Sequence, residues 1–317
     1  MRLVRAARVH EWGVGPAFEH DAAEPETAAG ETLVAIDAAA VGQLDLQIAA
    51  GTFPLRPALP YVPGTDATGR VLRSDRFREG TRVWIRGGGV GVARDGCWAE
   101  QVAVPDEAVH ELVVEVDRVI AASFWVPCST ARVAVEDVGA LIPGECVAVR
   151  GGAGAVGSIA VQLAVLGGAG EVLAIVRDRP ASPPPGVTVL TADDPGLLER
   201  LRADGGVDLL VDTVGGPGLA GFLEAMRPGG RIAVVGYAGG TEMTVDLRLL
   251  LTQDVRLLPV NQIRRQDGLF DSAPELLARL ASGELRLATT AFPFDRMPDA
   301  VEALRSGRAG GRVVLTF

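Results

Sequence analysis

The stretch Val147-Ala148-Val149-Arg150-Gly151-Gly152-Ala153-Gly154-Ala155-Val156-Gly157-Ser158 constrains this chain more than any other. A short valine-rich run reads as a buried strand, the glycines as a tight turn, and Ile159–Leu166 as the helix that follows. Gly152, Gly154 and Gly157 fit G-x-G-x-x-G, with Ala153, Ala155 and Val156 at the variable positions. The first glycine makes the turn, the second lets backbone approach a pyrophosphate, and the third lets the helix pack on the strand. The helix start adds N–H groups and the positive end of a dipole. A strand–loop–helix of this kind predicts a dinucleotide site.

The surrounding pattern supports that context. Strands are expected at Cys146–Arg150, Glu171–Val176, Val187–Leu190, Val207–Asp212 and Arg231–Gly236. Helices are expected at Ser158–Leu166, Pro195–Arg202 and Leu219–Met226, and Arg227-Pro228-Gly229-Gly230 reads as a helix stop and turn. Strand alternating with helix implies a doubly wound parallel sheet. Ala181-Ser182-Pro183-Pro184-Pro185-Gly186 reads as a stiff extended loop. Before this region, to about Asp117, short strands such as Thr32–Ala38, Gly69–Leu72, Thr81–Ile85 and Ala99–Pro105 lie between turn signals, as in a β-rich barrel-like unit. A short helix is expected at Asp45–Ala50. After it, helices at Ser272–Ser282 and Pro298–Ser306 precede a strand at Gly311–Phe317, which is expected to return to the earlier domain. At 317 residues the length fits two domains of about 150 residues each.

Composition removes several function classes. Hydrophobic residues make up 48% of the chain, enough for two cores, yet no apolar run nears the ~20 residues that span a bilayer. Met1-Arg2-Leu3-Val4-Arg5 lacks a signal-peptide apolar region, so no membrane association and a cytoplasmic location are expected. The net charge of −10, without a basic stripe, argues against nucleic acid. Cys97, Cys128 and Cys146 form no C-x-x-C pair, and His10, His20 and His110 are scattered, so neither disulfide scaffolding nor metal ligation is expected. The chain contains no lysine, which excludes Schiff-base chemistry through that side chain.

Several motifs in fixed order resemble the medium-chain dehydrogenase/reductase superfamily, in its zinc-free quinone oxidoreductase-like branch. They are the segments 59–69 (Leu59-Pro60-Tyr61-Val62-Pro63-Gly64-Thr65-Asp66 onward), Gly80–Val83, Gly96–Pro105, Pro143-Gly144-Glu145, the glycine loop, Asp208–Gly215, Pro228–Arg231 and Gly310–Leu315. The resemblance implies an α/β fold with a GroES-like β-rich catalytic domain at 1–117 and 258–317. It further implies a Rossmann NADP(H)-binding domain at 118–257, a cofactor cleft between the two, and a homodimer joined through the strand near Val255–Val260. In zinc-dependent relatives a cysteine stands at Gly42 or Gln43, a histidine at Thr65, and a third ligand near Val126. None of these is present here, so no metal is expected, and with it goes the Lewis acid of alcohol dehydrogenation.

Within that alignment Val176 takes the place of the acid that holds an NAD ribose about 20 residues beyond the fingerprint. Arg177 follows it, and Arg179 lies two further on. A guanidinium grips a 2′-phosphate with several donors, so NADPH is the expected cofactor, with Asp178 the residue that would favour NADH. By resemblance Thr130 borders the nicotinamide, Gly236 and Tyr237 border the ribose–nicotinamide section, Asn261 reaches the carboxamide, Arg308 assists with phosphate, and Val214 is a further cofactor-binding residue.

The expected chemistry is hydride transfer to an activated alkene or a quinone, a small-molecule substrate. The family segment that carries a polar Asn and Tyr reads here with Gly42 and Gln47, leaving Asp45 as an orienting or acid group. Tyr61, Gln43 and Thr65 are the pocket polar candidates, and Trp12, Phe53, Trp84 and Trp125 are apolar walls for a bulky acceptor. Gly42 and Gln47 equally fit a second reading: the same fold without hydride transfer, acting as a cyclase or isomerase or as a cofactor-binding partner.

Overall fold

In the computed structural model, which describes residues 3–180, 184–262, 265 and 268–317, the chain divides into two units. One holds Met1–Trp125, Leu280–Ser282 and Leu287–Phe317, and the other Val126–Arg279 and Gly283–Arg286. The sequence reading sets its boundaries at 117/118 and 257/258. Residues 118–125 stay with the first unit partly because Val119 and Ala122 pack against Ala38 and Val314. Residues 258–259 stay with the second because they belong to a strand of its sheet.

The first unit contains β1 (Leu3–Arg8), β2 (Ala17–Ala23), β3 (Glu31–Val41), α1 (Gln43–Ala49), β4 (Ala67–Arg73), β5 (Arg82–Ile85), β6 (Gln101–Pro105), β7 (Val109–Glu111) and α2 (Arg118–Ala121). From α3 (Trp125–Arg132) the chain runs through β8 (Cys146–Arg150), α4 (Ala155–Leu166), β9 (Glu171–Val176), β10 (Thr188–Thr191), α5 (Leu197–Arg202), β11 (Val207–Asp212), β12 (Met226–Val234), α6 (Leu247–Gln253), β13 (Arg256–Pro259) and α7 (Ala273–Ser282). It re-enters the first unit as β14 (Thr289–Pro293), α8 (Met297–Arg305) and β15 (Arg312–Thr316). The loop expected over 181–186 lies partly, at 181–183, outside the described residues.

β3 is the spine of the first unit. It pairs with β4, β6 and β15, all antiparallel, in a seven-stranded sheet ordered β14-β15-β3-β4-β5-β7, with β6 on β3. Val34, Ile36, Val71, Val83, Ile85, Val102 and Val313 fill the core beside Trp98. Each such side chain contributes about 1.5–3 kcal/mol on burial. The Trp98 indole N–H donates to the Ala40 carbonyl at 2.9 Å. Gly64 makes this possible: its φ is +106°, and a Cβ there would lie 2.4 Å from Trp98 Cδ1. The sheet is the β-rich unit that the short strands implied.

The second unit is built on six parallel strands in the order β10-β9-β8-β11-β12-β13. Ala148, Leu173, Ile175, Leu210 and Ile232 are buried in its core. Chain order reverses between β8 and β11, the switch point where Rossmann-type sheets open a crevice beyond the strand ends. One element differs from the helix expected at Leu219–Met226: Pro217–Ala225 is a 3-10 helix. Gly218 and Gly221 weaken an α-helix there, each by about 1 kcal/mol against alanine. Arg227–Gly230 continues β12, and a register shift between Val207 and Leu209 absorbs the extra residues. Arg231 on this strand is buried; it donates to both Glu145 carboxylate oxygens, at 2.8 and 2.5 Å, and to the Gly139 carbonyl at 2.7 Å.

Candidate functional site

In the second unit the candidate residues gather where the strands end. Gly151 and Gly152 N–H groups donate to the Ile175 carbonyl at 2.9 and 3.0 Å, binding the loop to the end of β9. Gly154 caps α4 in an extended conformation, and its N–H returns to the Gly151 carbonyl at 2.9 Å. Gly157 faces inward, and a Cβ there would sit 2.1 Å from the Gly151 carbonyl oxygen, so no other residue fits. Ala153 and Gly154 are exposed, with Ala155 and Val156 half-buried. The first helical turn offers N–H groups that no carbonyl of the same helix can accept. The geometry of the cradle fits a pyrophosphate.

Two residues missed in the sequence support this edge. Arg150 ends β8 opposite Asp212, which ends β11. Their side chains meet at 3.3 Å, and Arg150 also donates to the Gly215 carbonyl at 2.9 Å. Asp212 is fully buried and accepts from the Val214 and Gly215 N–H groups at 3.1 and 2.9 Å. The pair therefore fixes the loop that carries Val214. A Cβ on Gly236 would lie 2.2 Å from the Thr213 carbonyl oxygen, so the loop after β12 packs directly on it, with Tyr237 exposed beyond. Arg150 and Asp212 stand in sequence as an ordinary strand-end Arg and Asp; only the strand order makes them neighbours.

After β9, Arg177 and Asp178 pair with each other at 2.9 Å, both well exposed, and Arg179 is exposed beside them. Thr130 lies buried on α3, next to Ser129, whose hydroxyl accepts from Gln262 at 2.8 Å. That bond brings the exposed Asn261 and its neighbour to α3, a contact with no signal in the sequence. Arg308 belongs to the first unit and is exposed on the segment after α8, near Glu302 at 3.6 Å and donating to Ser306 at 3.0 Å.

In the first unit Asp45, Thr65 and Tyr61 come together, all buried, whereas Gln43 is exposed at the first position of α1. Asp45 accepts the Gly42 N–H at 2.7 Å and the Thr65 N–H at 3.0 Å. Burial, and then the neighbouring Asp66 charge, push its carboxyl up to about 6 against the opposing pull of the Gly42 N–H, Arg312 and Arg86. The Tyr61 hydroxyl is buried without a hydrogen-bond partner among the described residues, and burial followed by the Asp45 charge raises its phenol above the ordinary range. Asp66 accepts from Arg86 at 3.0 Å and from the Thr65 hydroxyl at 3.3 Å, and lies 3.8 Å from Arg312. Asp66, Arg86 and Arg312 were absent from the sequence candidates; Arg312 arrives beside Gly42 only because β15 pairs with β3. Trp12 lies 5.7 Å from Tyr61, with Phe53 packed nearby, whereas Trp84 and Trp125 are buried against Phe124.

A zinc ion does not suit this set. Gly42 and Thr65 offer no soft or imidazole donor, the Asp45 oxygens are held by backbone N–H groups, and Asp66 is held by Arg86. Among the described residues no group of three or more His, Cys, Asp or Glu side chains is placed to hold a metal. No helix there is long and apolar enough to cross a membrane.

Comparison with known proteins agrees with this architecture. The family model described as alcohol dehydrogenase GroES-like domain matches residues 28–114, and that described as zinc-binding dehydrogenase matches 189–315. The chain is 29% identical over 335 residues to quinone oxidoreductase of Lama guanicoe, covering 99% of this chain and 98% of that one. It is 30% identical over 243 residues to a zinc-type alcohol dehydrogenase-like protein of Schizosaccharomyces pombe, covering 75% of this chain and 72% of the other. The quinone oxidoreductase of Thermus thermophilus, whose structures include a complex with NADPH, superimposes with a TM-score of 0.81 at 28% identity, covering 99% of this chain and all of that one. A GroES-like β domain joined to a Rossmann domain with this glycine cradle defines the medium-chain dehydrogenase/reductase class. The chain belongs to that superfamily, in its quinone oxidoreductase-like branch, and is an oxidoreductase.

Proposed function

We propose that the protein is an NADPH-dependent, zinc-independent reductase acting on an activated alkene (an enone or enoyl compound) or a quinone. The observation that carries this reading is the glycine cradle at the switch point, with Arg177 directly after β9. The Thermus thermophilus quinone oxidoreductase, with its NADPH complex, supports the same choice. Bound NADPH supplies hydride. Gly152–Gly157 hold its pyrophosphate, Arg177 and Arg179 its 2′-phosphate, and Thr130, Val214, Gly236, Tyr237 and Asn261 its ribose and nicotinamide. Arg308 assists with phosphate. Asp45, Tyr61, Thr65 and Gln43 orient the acceptor and handle charge and protons on it.

The test is to mix the protein with NADPH and a panel of enones and quinones and to follow loss of reduced-nicotinamide absorbance. Turnover of an acceptor, with tighter binding of NADPH than NADH, is expected. NADPH binding without turnover of any acceptor overturns the reductase reading. It favours instead the cyclase, isomerase or partner-protein reading, for which Gly42 and Gln47 speak. A homodimer through β13, the edge strand, is the assembly we propose; Leu247 and Leu251 on the preceding α6 are 67% and 77% exposed. A solution mass of 33 kDa, that of one chain, would refute it.

A further inference from the structure

The second unit carries a groove of about 540 Å³ along the last two turns of α4. That volume falls within the ~300–1,000 Å³ of small-molecule sites. The glycine cradle surrounds the first turn of the same helix, roughly 16 Å away at 1.5 Å per residue. Val161, Val165 and Leu166 line the groove from α4, and Pro184, Pro185 and Val187 from the segment that enters β10. Because β8, β9 and β10 are parallel, the entry to β10 lies at the end of the sheet opposite the cradle. Val165 and Leu166 are 40% and 45% exposed, on a helix that buries Ile159, Val161 and Leu163. Single exposed apolar residues need no explanation, but these two line a concavity with four other apolar side chains.

The polar groups of the groove are unequally spent. The Gln162 amide is used in full: its Oε1 accepts the Arg286 backbone N–H at 2.7 Å, and its Nε2 donates to the Arg286 and Ser158 carbonyls, each at 2.9 Å. This two-point clasp fixes the Arg286 backbone against the helix, one turn before Leu166. The Arg286 guanidinium, by contrast, has no hydrogen bond or ion pair among the described residues. Pro184 and Pro185 have no N–H to offer. The groove therefore presents a hydrocarbon lining with one uncommitted cation rooted beside it.

We propose that this groove binds a small amphipathic monocarboxylate, its carboxylate on Arg286 and its apolar chain against Val161, Val165, Leu166 and the two prolines. The negative end of the α4 dipole lies at Leu166, so the carboxylate belongs at the Gln162 end and the chain runs toward Leu166. Glu284 also lines the groove and is already engaged in a contact of its own. Its repulsion is weaker toward one negative charge than toward the two of a phosphate monoester, which favours the carboxylate. All these residues belong to the second unit, and the site stands whether or not the protein reduces an alkene.

The test is calorimetric titration of the full chain with octanoate, with hexanoate and 1-octanol as comparisons, in the presence and absence of NADPH. Octanoate is expected to bind about fourfold tighter than hexanoate, twofold for each half-buried methylene. It should bind about fivefold tighter than 1-octanol, the upper range of an exposed ion pair. Arg286→Met should remove the preference over 1-octanol and leave the affinity for 1-octanol unchanged. Val165→Glu, at an exposed position where folding is not at stake, should weaken octanoate about tenfold by placing a like charge in the groove. Absence of octanoate binding at millimolar concentration, equal affinity for 1-octanol, or indifference to both substitutions overturns the proposal. Displacement of octanoate by NADPH would put it in the cradle and overturns it as well. Sedimentation of the same samples covers the remaining occupant: a dimer that Val165→Glu splits, with no octanoate bound, would show that a second copy fills the groove instead.

Discussion

Arg150 and Asp212 end two neighbouring parallel strands side by side, and their charged groups meet at 3.3 Å with the aspartate wholly buried. Removing one member leaves the other charge in a low-dielectric setting, and Asp212 also holds two backbone N–H groups. Asp212→Ala is therefore expected to cost about 3–5 kcal/mol, read as a fall in the urea midpoint of unfolding. A loss below about 1 kcal/mol would show that other contacts hold the Val214 loop.

Gly157 and Gly154 occupy the same motif and should answer differently to alanine. A Cβ at position 157 would stand 2.1 Å from the Gly151 carbonyl oxygen, which can move only with the loop itself. At position 154 the nearest atom is the same oxygen at 3.2 Å, and the residue is exposed. Gly157→Ala should abolish NADPH binding, whereas Gly154→Ala should weaken it mildly. Fluorescence titration of both variants checks the order; equal losses would mean the third glycine is not the steric hinge of the cradle.

Tyr61 carries a buried hydroxyl with no partner among the described residues. Tyr61→Phe should leave stability unchanged or raise it by about 1–3 kcal/mol, since an unsatisfied polar group is removed. If the phenol serves the acceptor, the same variant loses kcat. A thermal melt and a rate on one preparation separate the two roles, and a destabilised variant would show that the hydroxyl is hydrogen-bonded.

Asp45 sets a pH dependence whose sign can be worked out. Its carboxyl is raised from 3.8 to about 6 in the fold, so between those values the native state holds a proton that the unfolded chain has released. Its contribution to stability must then fall as pH rises through that window, and stay constant outside it. Asp45→Asn removes the titration. The stability of wild type minus that of the variant should decline between about pH 4 and pH 6 in denaturant melts, and a difference independent of pH would contradict the shift.

Arg177 is paired with Asp178 on the surface, so a 2′-phosphate must compete with that carboxylate. Asp178→Asn should raise the preference for NADPH over NADH by about two- to fivefold, the range of an exposed pair. Arg177→Ala should reduce it. Dissociation constants for both nucleotides decide, and an unchanged ratio in both variants would remove this turn from cofactor choice.

Much of this fold is legible from local pattern. The strands at Cys146–Arg150, Glu171–Val176 and Val207–Asp212 and the glycine loop between strand and helix follow from valine-rich runs and turn chemistry, which act within a dozen residues. The helix expected at Leu219–Met226 is instead a 3-10 helix over Pro217–Ala225, where Gly218 and Gly221 disfavour an α-helix. What lay out of reach depends on register between distant strands. Arg312 meets Gly42, and Arg150 meets Asp212, because of sheet order, and no property of the individual residues announces either meeting. Trp84 and Trp125 illustrate the converse: their size suggested a substrate wall, and core packing claimed them.

β15 pairs with β3 across an interval that contains the whole second unit. During synthesis residues 31–41 leave the ribosome long before residues 312–316 exist, so the first sheet waits with the 38–41 end of one flank of its spine unoccupied. The second unit, by contrast, draws its six strands from one continuous stretch and can close while translation continues. The part of the protein made first is thus the part finished last, and the wait leaves a bare edge of β3 that a nascent-chain chaperone or a neighbouring copy could reach.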